Sequence, residues 1–591
     1  MEIKKPVLTP KLQLYLLIFI AVALNFNTLF NEYAVDDELV LTKNTLVTNG
    51  ISGIPKLLTH DLLYGTPNAE NSLTQARYRP FSLVIFAIEY QLFGANPFVS
   101  HLINILLFTI LIILLFKLLQ NLFQEYNSYL AFVACLLFVV HPIHTEVIAN
   151  VKSRDEIITV ILQLISLFYF IRYSEKRSVP SLIIGLCSYF LALLTRESAV
   201  TFIAIIPLVL YFFFNQSIKK ALLQSLPLIA VFIGYILLRI YIVGFSNPTT
   251  NSILDSPFLF ASSSQAFATK VYILLKDICL LFFPHPLYFD YGFNQIPYVN
   301  ILSFQFLISV LVLTSLISYA IYTFRRKAIV SFSIFYFLIT ISLASNILVD
   351  IGTPLSERLL FQPSLAFCIV IALFYLKTVK HFKIVVNAIF LIILVLFSIK
   401  TISRNTQWKN NQTLFFADVI SAPDSFRTNL YAAINYALKA DKETDKELKK
   451  HDFQKAAFYG EKSLSIYHNY PDTYLVLGDA YFGLHAYYKA ADNWILADKF
   501  DSSNPPALKR ANMLSAFLFE EGINFYRKHN INEAIKCFQK STELNNKNVE
   551  SWYYLGGIYF AMDDTKNGIE AWQNVINLSP NHPINKDQFH N

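Results

Sequence analysis

The sequence predicts an all-α protein in two parts. Residues 1–400 read as a polytopic bundle of about eleven membrane-spanning helices. After a linker at 401–424, residues 425–591 read as an α-solenoid of about four repeats. Three observations carry this reading. Hydrophobic residues make up 54% of the 591 positions and charged residues only 15%, whereas a water-facing surface needs roughly 25% charge. Apolar runs of membrane length recur throughout the first 400 residues. Small and aromatic residues then recur at a 34-residue spacing through the rest. The same composition excludes disorder, a coiled coil and a disulfide scaffold. The five cysteines stand singly, with no CxxC and no Cys/His cluster, so neither a disulfide framework nor a zinc site is read.

Charge divides the chain at the same place. Residues 401–591 hold 21 Lys+Arg and 22 Asp+Glu, which leaves 27 and 19 for residues 1–400. A net +8 spread over an apolar segment fits lipid topology better than nucleic-acid binding. A membrane helix needs about 20 apolar residues, and spans are read near 12–29, 98–119, 128–141, 156–172, 181–195, 198–214, 221–243, 301–324, 329–349, 359–376 and 382–400. Two further apolar stretches, 81–93 with Glu89 and Gln91 and 266–283 with Lys270, Lys276 and Asp277, read as helices lying in the interface.

The positive-inside rule tests the count. With Lys4, Lys5 and Lys11 inside, the alternate loops at Arg172–Arg177, Lys219–Lys220, Arg325–Lys327 and Lys377–Lys383 are basic, as they should be; the 117–127 loop is neutral. Residues 31–80, 141–155, 195–197, 244–300, 350–358 and the whole C-terminal part then lie on the outer face. The Ala21-Val22-Ala23 stretch imitates a signal-peptidase site. The apolar run continues to Phe30, so the first span is read as uncleaved.

In the C-terminal part, residues 473–505 align with 551–580, matching Tyr474 with Trp552, Leu477 with Leu555, Gly478 with Gly556, Tyr481 with Tyr559 and Trp494 with Trp572. Gly522 to Gly556 and Ala534 to Gly568 are each 34 residues apart, and Gly478 to Gly522 is 44, an insertion of ten. That period is the tetratricopeptide signature. A degenerate first unit begins near 425 with Asn429, Ala433, Tyr436 and Ala456. Such arrays present a surface for peptides or proteins.

The outer loops hold the polar residues that mark function in membrane bundles. Asp36-Asp37-Glu38 follows the first span; mutual repulsion of adjacent carboxylates raises at least one of them toward the range of a general base. His141-Pro-Ile-His144-Thr-Glu146 is followed by Arg154-Asp155-Glu156. This set suits hydrogen bonding to a substrate, with metal binding and helix capping as the other readings. Arg77, Arg79, Arg196-Glu197 and Glu357-Arg358 break the positive-inside bias, and guanidinium groups bind phosphate bidentately. The plainer alternative pairs each arginine with its neighbouring Glu. Together, carboxylates and phosphate-reading arginines at an outer mouth fit group transfer from a lipid phosphate. There is no GxGxxG, P-loop or GxSxG, so nucleotide hydrolysis and an acyl-transfer triad lack support.

The order of these parts resembles the transmembrane and tetratricopeptide-repeat O-mannosyltransferases, within the GT-C-type membrane glycosyltransferases. The resemblance runs almost end to end through VDDELV, RYRPFSLVIFAIEYQLFGANPF, HPIHTEVIANVKSRDEIITVI, LTRESAVTF, PHPLYFDY and ERLLFQPSLAFC. It implies inverting transfer of a sugar, mannose in the family, from a polyprenyl-phosphate donor to a protein or glycan acceptor on the outer face. The acidic pair supplies the base, Asp36 with Asp37 as neighbour. The leaving phosphate falls to Arg79, Arg154, Arg196 and Arg358. His141, His144, Glu146, Asp155, Glu197 and Glu357 are left to line the substrate pocket. No metal or cofactor is implied beyond the donor lipid, and the repeats are expected to hold acceptor or partner. The array is shorter than the animal proteins usually show, and the Lys, Asn, Ile and Phe usage suggests a bacterial inner membrane. Two other readings stand beside it: a non-catalytic membrane-anchored repeat scaffold, and a polysaccharide polymerase or ligase with appended repeats.

Overall fold

The computed structural model describes residues 8–67, 77–244, 253–254, 256–500 and 505–584. Lys4 and Lys5, the basic start, lie outside the described residues. Every regular element among the described residues is helical. The chain divides into two units at Ala422–Pro423.

Among the described residues of the first unit six helices are long and apolar enough to cross a membrane: Pro10–Phe30, Pro97–Leu122, Arg154–Lys176, Ile218–Val243, Phe304–Phe324 and Lys383–Gln407. A further pair, Leu130–Val140 followed by Pro142–Ala149, is apolar enough only when taken together and bends by 56° at its break, the shape of a broken span or a re-entrant loop. Pro142 causes the break, because its ring removes a backbone donor and cannot continue the preceding helix. The remaining expected spans are the shorter apolar helices Val179–Thr195, Glu197–Phe213, Ile329–Ile341 and Ser364–Thr378. Polar residues shorten two of them: Arg196-Glu197 separates one pair, and Ser356-Glu357 precedes Ser364–Thr378. The stretch expected to run to 349 stops at Ile341 and continues in turns.

The helices bury a continuous core against one another, with Phe108, Leu111, Ile112, Cys135, Phe170, Phe202, Leu210 and Phe361 at its centre. On the outside, Leu237, Leu307, Leu311, Ile321, Ile384, Leu391 and Ile392 are exposed. Apolar exposure on this scale is stable only against lipid, so the first unit is an integral membrane domain. The helix Pro80–Phe93 buries Ser82, Leu83, Phe86, Ala87 and Glu89 and exposes Ile88, Leu92 and Phe93.

The expected linker at 401–424 is corrected by the structure. The last span continues to Gln407, and a further helix, Asn411–Ser421, folds back with it in the first unit. A buried ion pair holds the turn: Arg404 Nη1 lies 2.6 Å from Asp418 Oδ1, Asp418 Oδ2 accepts the Phe289 N–H at 2.6 Å, and Trp408 is fully buried. Composition reads this stretch as polar because its charges are not visibly paired along the chain.

The second unit is a series of four helix hairpins: Phe426–Lys442 with Lys446–Ile466, Pro471–Gly483 with Tyr487–Phe500, Pro505–Arg527 with Ile531–Leu544, and Val549–Ala561 with Thr565–Leu578. The repeated glycines sit where paired helices touch. A Cβ on Gly478 would meet the Trp494 indole at 2.3 Å, and one on Gly556 would meet Trp572 at 2.1 Å. Helix Pro505–Arg527 has 23 residues where Pro471–Gly483 and Val549–Ala561 have 13 each, which accounts for the longer spacing between Gly478 and Gly522.

Candidate functional site

The loops expected on one face converge at one end of the bundle. After the first span the chain enters residues 31–38 under several restraints. Glu32 N–H donates to the Lys409 carbonyl at 2.8 Å, Asn31 Nδ2 to the Asn405 carbonyl at 3.2 Å, and Asn150 Nδ2 to the Ala34 carbonyl at 3.2 Å. Val35 adopts φ +55°, a left-handed conformation that is strained for a β-branched residue by about 1–3 kcal/mol. Its N–H is held by Asn411 Oδ1 at 2.7 Å. This kink separates the next two carboxylates. Asp37 is fully buried; its Oδ2 accepts the Ala34 N–H at 3.1 Å and its Oδ1 the Lys152 N–H at 2.6 Å. Burial pushes Asp37 up to about 7, against those hydrogen bonds, and the neighbouring Asp36 adds only a small part. The expected repulsion within the acidic run is thus minor beside desolvation. Asp36 is half-buried and makes no hydrogen bond or ion pair among the described residues. It lies within electrostatic reach of Lys152 and Arg358.

The arginines do not pair with their sequence neighbours. Arg79 binds Glu197 through Nε at 2.9 Å and Nη2 at 2.8 Å, and Asp155 through Nη1 at 3.2 Å. Arg196 binds Asp155 at 3.2 Å and Glu156 at 2.9 Å. Arg358 binds Glu146 at 3.2 Å, while the same carboxylate accepts the Arg358 N–H at 3.0 Å and the Ser356 hydroxyl at 3.1 Å. Glu357 faces the other way: it accepts the Tyr291 hydroxyl at 3.3 Å, its Oε2 has no partner among the described residues, and burial raises it to about 8. Asp155 therefore clamps two arginines supplied by different loops, and Glu146 ties the broken helix to the turn before Ser364–Thr378.

Three expected site residues are placed away from the mouth. Arg154, expected on phosphate, has no exposed side-chain surface; it pairs with Glu89, donates to Asn104 Oδ1 at 2.6 Å and to the Ser100 carbonyl at 2.9 Å, and stacks on Phe86. Its position at the start of a helix turns it inward to satisfy Glu89. His141 and His144, expected to line the pocket, are each 1% exposed. His141 Nδ1 accepts the Ile143 N–H at 3.2 Å and Nε2 donates to the Leu281 carbonyl at 3.0 Å, so it caps the turn after Pro142. His144 Nε2 lies 2.8 Å from Ser364 Oγ, with Phe138 and Phe361 against its ring. Among the described residues no three His, Cys, Asp or Glu converge as metal ligands.

A family profile described as "Dolichyl-phosphate-mannose-protein mannosyltransferase" matches residues 79–242, which hold Arg79, Glu146, Asp155, Arg196 and Glu197. A protein O-mannosyl-transferase of Caenorhabditis elegans is 28% identical over 415 residues, covering 69% of this chain and 58% of that protein. Protein O-mannosyl-transferase TMTC3 of Homo sapiens is 23% identical over 650 residues, covering 97% of this chain and 68% of that protein. For TMTC1 of Homo sapiens the figures are 25%, 69% and 51%. The chain is thus similar to these O-mannosyl-transferases over most of its length. It spans between about half and two thirds of the length of these relatives. Two further residues belong to this network. Glu89, in the sequence only the polar mark of an interfacial helix, pairs with Arg154. Lys152 lies inside a quoted motif without being singled out. Its signal was available: a basic residue on an outer loop breaks the positive-inside bias as the arginines do.

Proposed function

We propose that this O-mannosyl-transferase relative is an inverting glycosyltransferase that moves a sugar, mannose by family likeness, from a polyprenyl-phosphate donor to an acceptor hydroxyl at the polar mouth. One observation carries the reading: Asp36 is held by a strained turn beside Lys152 and Arg358 with its carboxylate uncommitted, while Asp37 is committed to two backbone amides. A general base must be free to take a proton and close to where charge develops. Asp36 takes the acceptor proton. Arg358, Arg79 and Arg196 supply the positive field at the leaving phosphate, and Glu146, Asp155 and Glu197 set those arginines in place. The mouth faces the outer side of the membrane by the basic-loop pattern, the periplasm if the source is bacterial. The helix hairpins of the second unit recruit the acceptor or a partner protein.

The scaffold alternative needs no such arrangement of buried charge, which is expensive in a membrane bundle and kept for function. The test is transfer from dolichyl-phosphate-mannose and from undecaprenyl-phosphate-linked sugars by the full chain in detergent. The acceptors are a pool of Ser/Thr peptides and, separately, a glycan. Transfer that disappears in Asp36→Asn supports the reading. Absence of transfer from every donor by the wild-type protein sinks it.

A further inference from the structure

Each arginine named for phosphate already has a protein carboxylate: Arg79 has Asp155 and Glu197, Arg154 has Glu89, Arg196 has Asp155 and Glu156, and Arg358 has Glu146. Two other cations at the same mouth do not. Lys152 and Arg77 make no ion pair and no side-chain hydrogen bond among the described residues. Lys152 is only 6% exposed. Both lie within electrostatic reach of Arg79 and Arg358; Lys152 also feels Asp36 and Asp155, and Arg77 feels Glu197 and Arg196. Burying an ammonium group without a counter-ion is strongly unfavourable. Burial pushes Lys152 down to about 8 and Arg77 down to about 10. The positive charge that makes no ion pair among the described residues is thus concentrated on these two residues, with Asp155 and Asp36 in electrostatic reach of Lys152 and Glu197 in reach of Arg77.

We infer that Lys152, with Arg77, forms the seat of the donor's phosphate and binds the departing polyprenyl monophosphate more tightly than the donor itself. The inference rests on the transfer reading above. The donor is a phosphodiester with one negative charge. As the acceptor oxygen bonds to the anomeric carbon, the bond from that carbon to the phosphate oxygen breaks and its electron pair stays on the phosphate. The acceptor's proton goes to Asp36. The phosphate becomes a monoester whose second charge persists above pH about 6, and the Lys152 ammonium, still protonated, meets that new charge. An interaction stronger after bond breaking than before is the kind that raises rate.

The experiment measures affinity of the full chain in detergent for undecaprenyl monophosphate and for undecaprenyl-phosphate-mannose, with inorganic phosphate as competitor. Lys152→Met should weaken monophosphate binding about 10- to 100-fold, with a smaller loss for the diester, and Arg77→Met should weaken both. Lys152→Arg should restore monophosphate binding. It should also keep that binding above pH 8, where the wild type weakens as Lys152 loses its proton. The charged and titratable groups around it, Asp36, Asp37, Asp155, Arg79 and Arg358, are unchanged in both proteins. Monophosphate affinity unaltered in folded Lys152→Met overturns the inference, as does a loss that Lys152→Arg fails to restore. Asp36→Asn separates the two claims: it should bind monophosphate normally while losing transfer. Transfer that survives Asp36→Asn fails the reaction assignment, whatever Lys152 does.

Discussion

The Asp37 carboxylate accepts the main-chain N–H of Lys152 across 2.6 Å, joining the loop after the first span to the loop before Arg154–Lys176. Adjacent acidic residues therefore hold different positions: one is a brace between two loops, the other is left at the mouth.

That division predicts opposite phenotypes. Asp36→Asn should leave the melting temperature unchanged and lower transfer about 100- to 10,000-fold, the usual cost of removing a positioned base. Asp37→Asn puts an amide NH2 against a backbone N–H and should destabilise by about 1–3 kcal/mol, seen as a lower melting temperature. If Asp37→Asn is as stable as wild type and inactive, the roles are reversed.

The pH dependence of stability should follow Asp37. Its folded value is raised to about 7, chiefly by burial, while an unfolded Asp titrates near about 4. Between those values the folded state holds a proton that the unfolded state has lost, so this stabilisation is full below pH about 4 and fades as pH rises to about 7. The melting-temperature deficit of Asp37→Asn should be larger at pH 5 than at pH 7.5. A deficit that is constant or grows with pH contradicts the assignment.

Arg154 and Glu89 should behave as structural partners. Removing one charge of a buried pair costs about 3–5 kcal/mol, so Arg154→Met and Glu89→Gln should each lower the melting temperature sharply. Arg154→Met combined with Glu89→Leu should recover part of it. If Arg154→Met keeps its stability and loses donor affinity instead, Arg154 returns to the phosphate site.

In the second unit, Gly556→Ala should cost about 1–3 kcal/mol by overpacking against Trp572. Combination with Trp572→Phe should relieve it. Gly557, which has nothing within 4 Å of a built Cβ, is the control, and Gly557→Ala should be tolerated. Equal effects at both positions would mean helix propensity rather than the crossing sets the cost.

The sidedness of the membrane can be read by labelling. In a chain with its own cysteines replaced, single cysteines at Ser52 and at Glu447 should react with an impermeant maleimide from the same side. Reaction from opposite sides would mean that 81–93 or 266–283 crosses after all.

The division into a membrane bundle and a helical array was legible in the sequence because hydrophobic length and the 34-residue period are local properties of the chain. Pro142 and the repeated glycines could also be read directly, since their effects depend on backbone chemistry. The loops themselves were legible: the polar stretches between apolar runs carry Asp36, Arg79, Glu146, Asp155, Arg196 and Glu357, and the fold brings Arg79, Asp155 and Arg196 into contact, as it does Glu146 and Arg358. Which charge meets which was not legible. Arg196 passes over Glu197 for Asp155 and Glu156, Arg358 passes over Glu357 for Glu146, and Arg154 turns inward to Glu89. A buried charge seeks the partner that desolvation and packing allow, and that partner comes from a helix remote in sequence. By itself the sequence determined which stretches are apolar enough to enter a membrane and which polar residues lie between them. The tertiary structure decided which of them pair with a carboxylate remote in sequence and which, Asp36, Lys152 and Arg77, make no ion pair among the described residues.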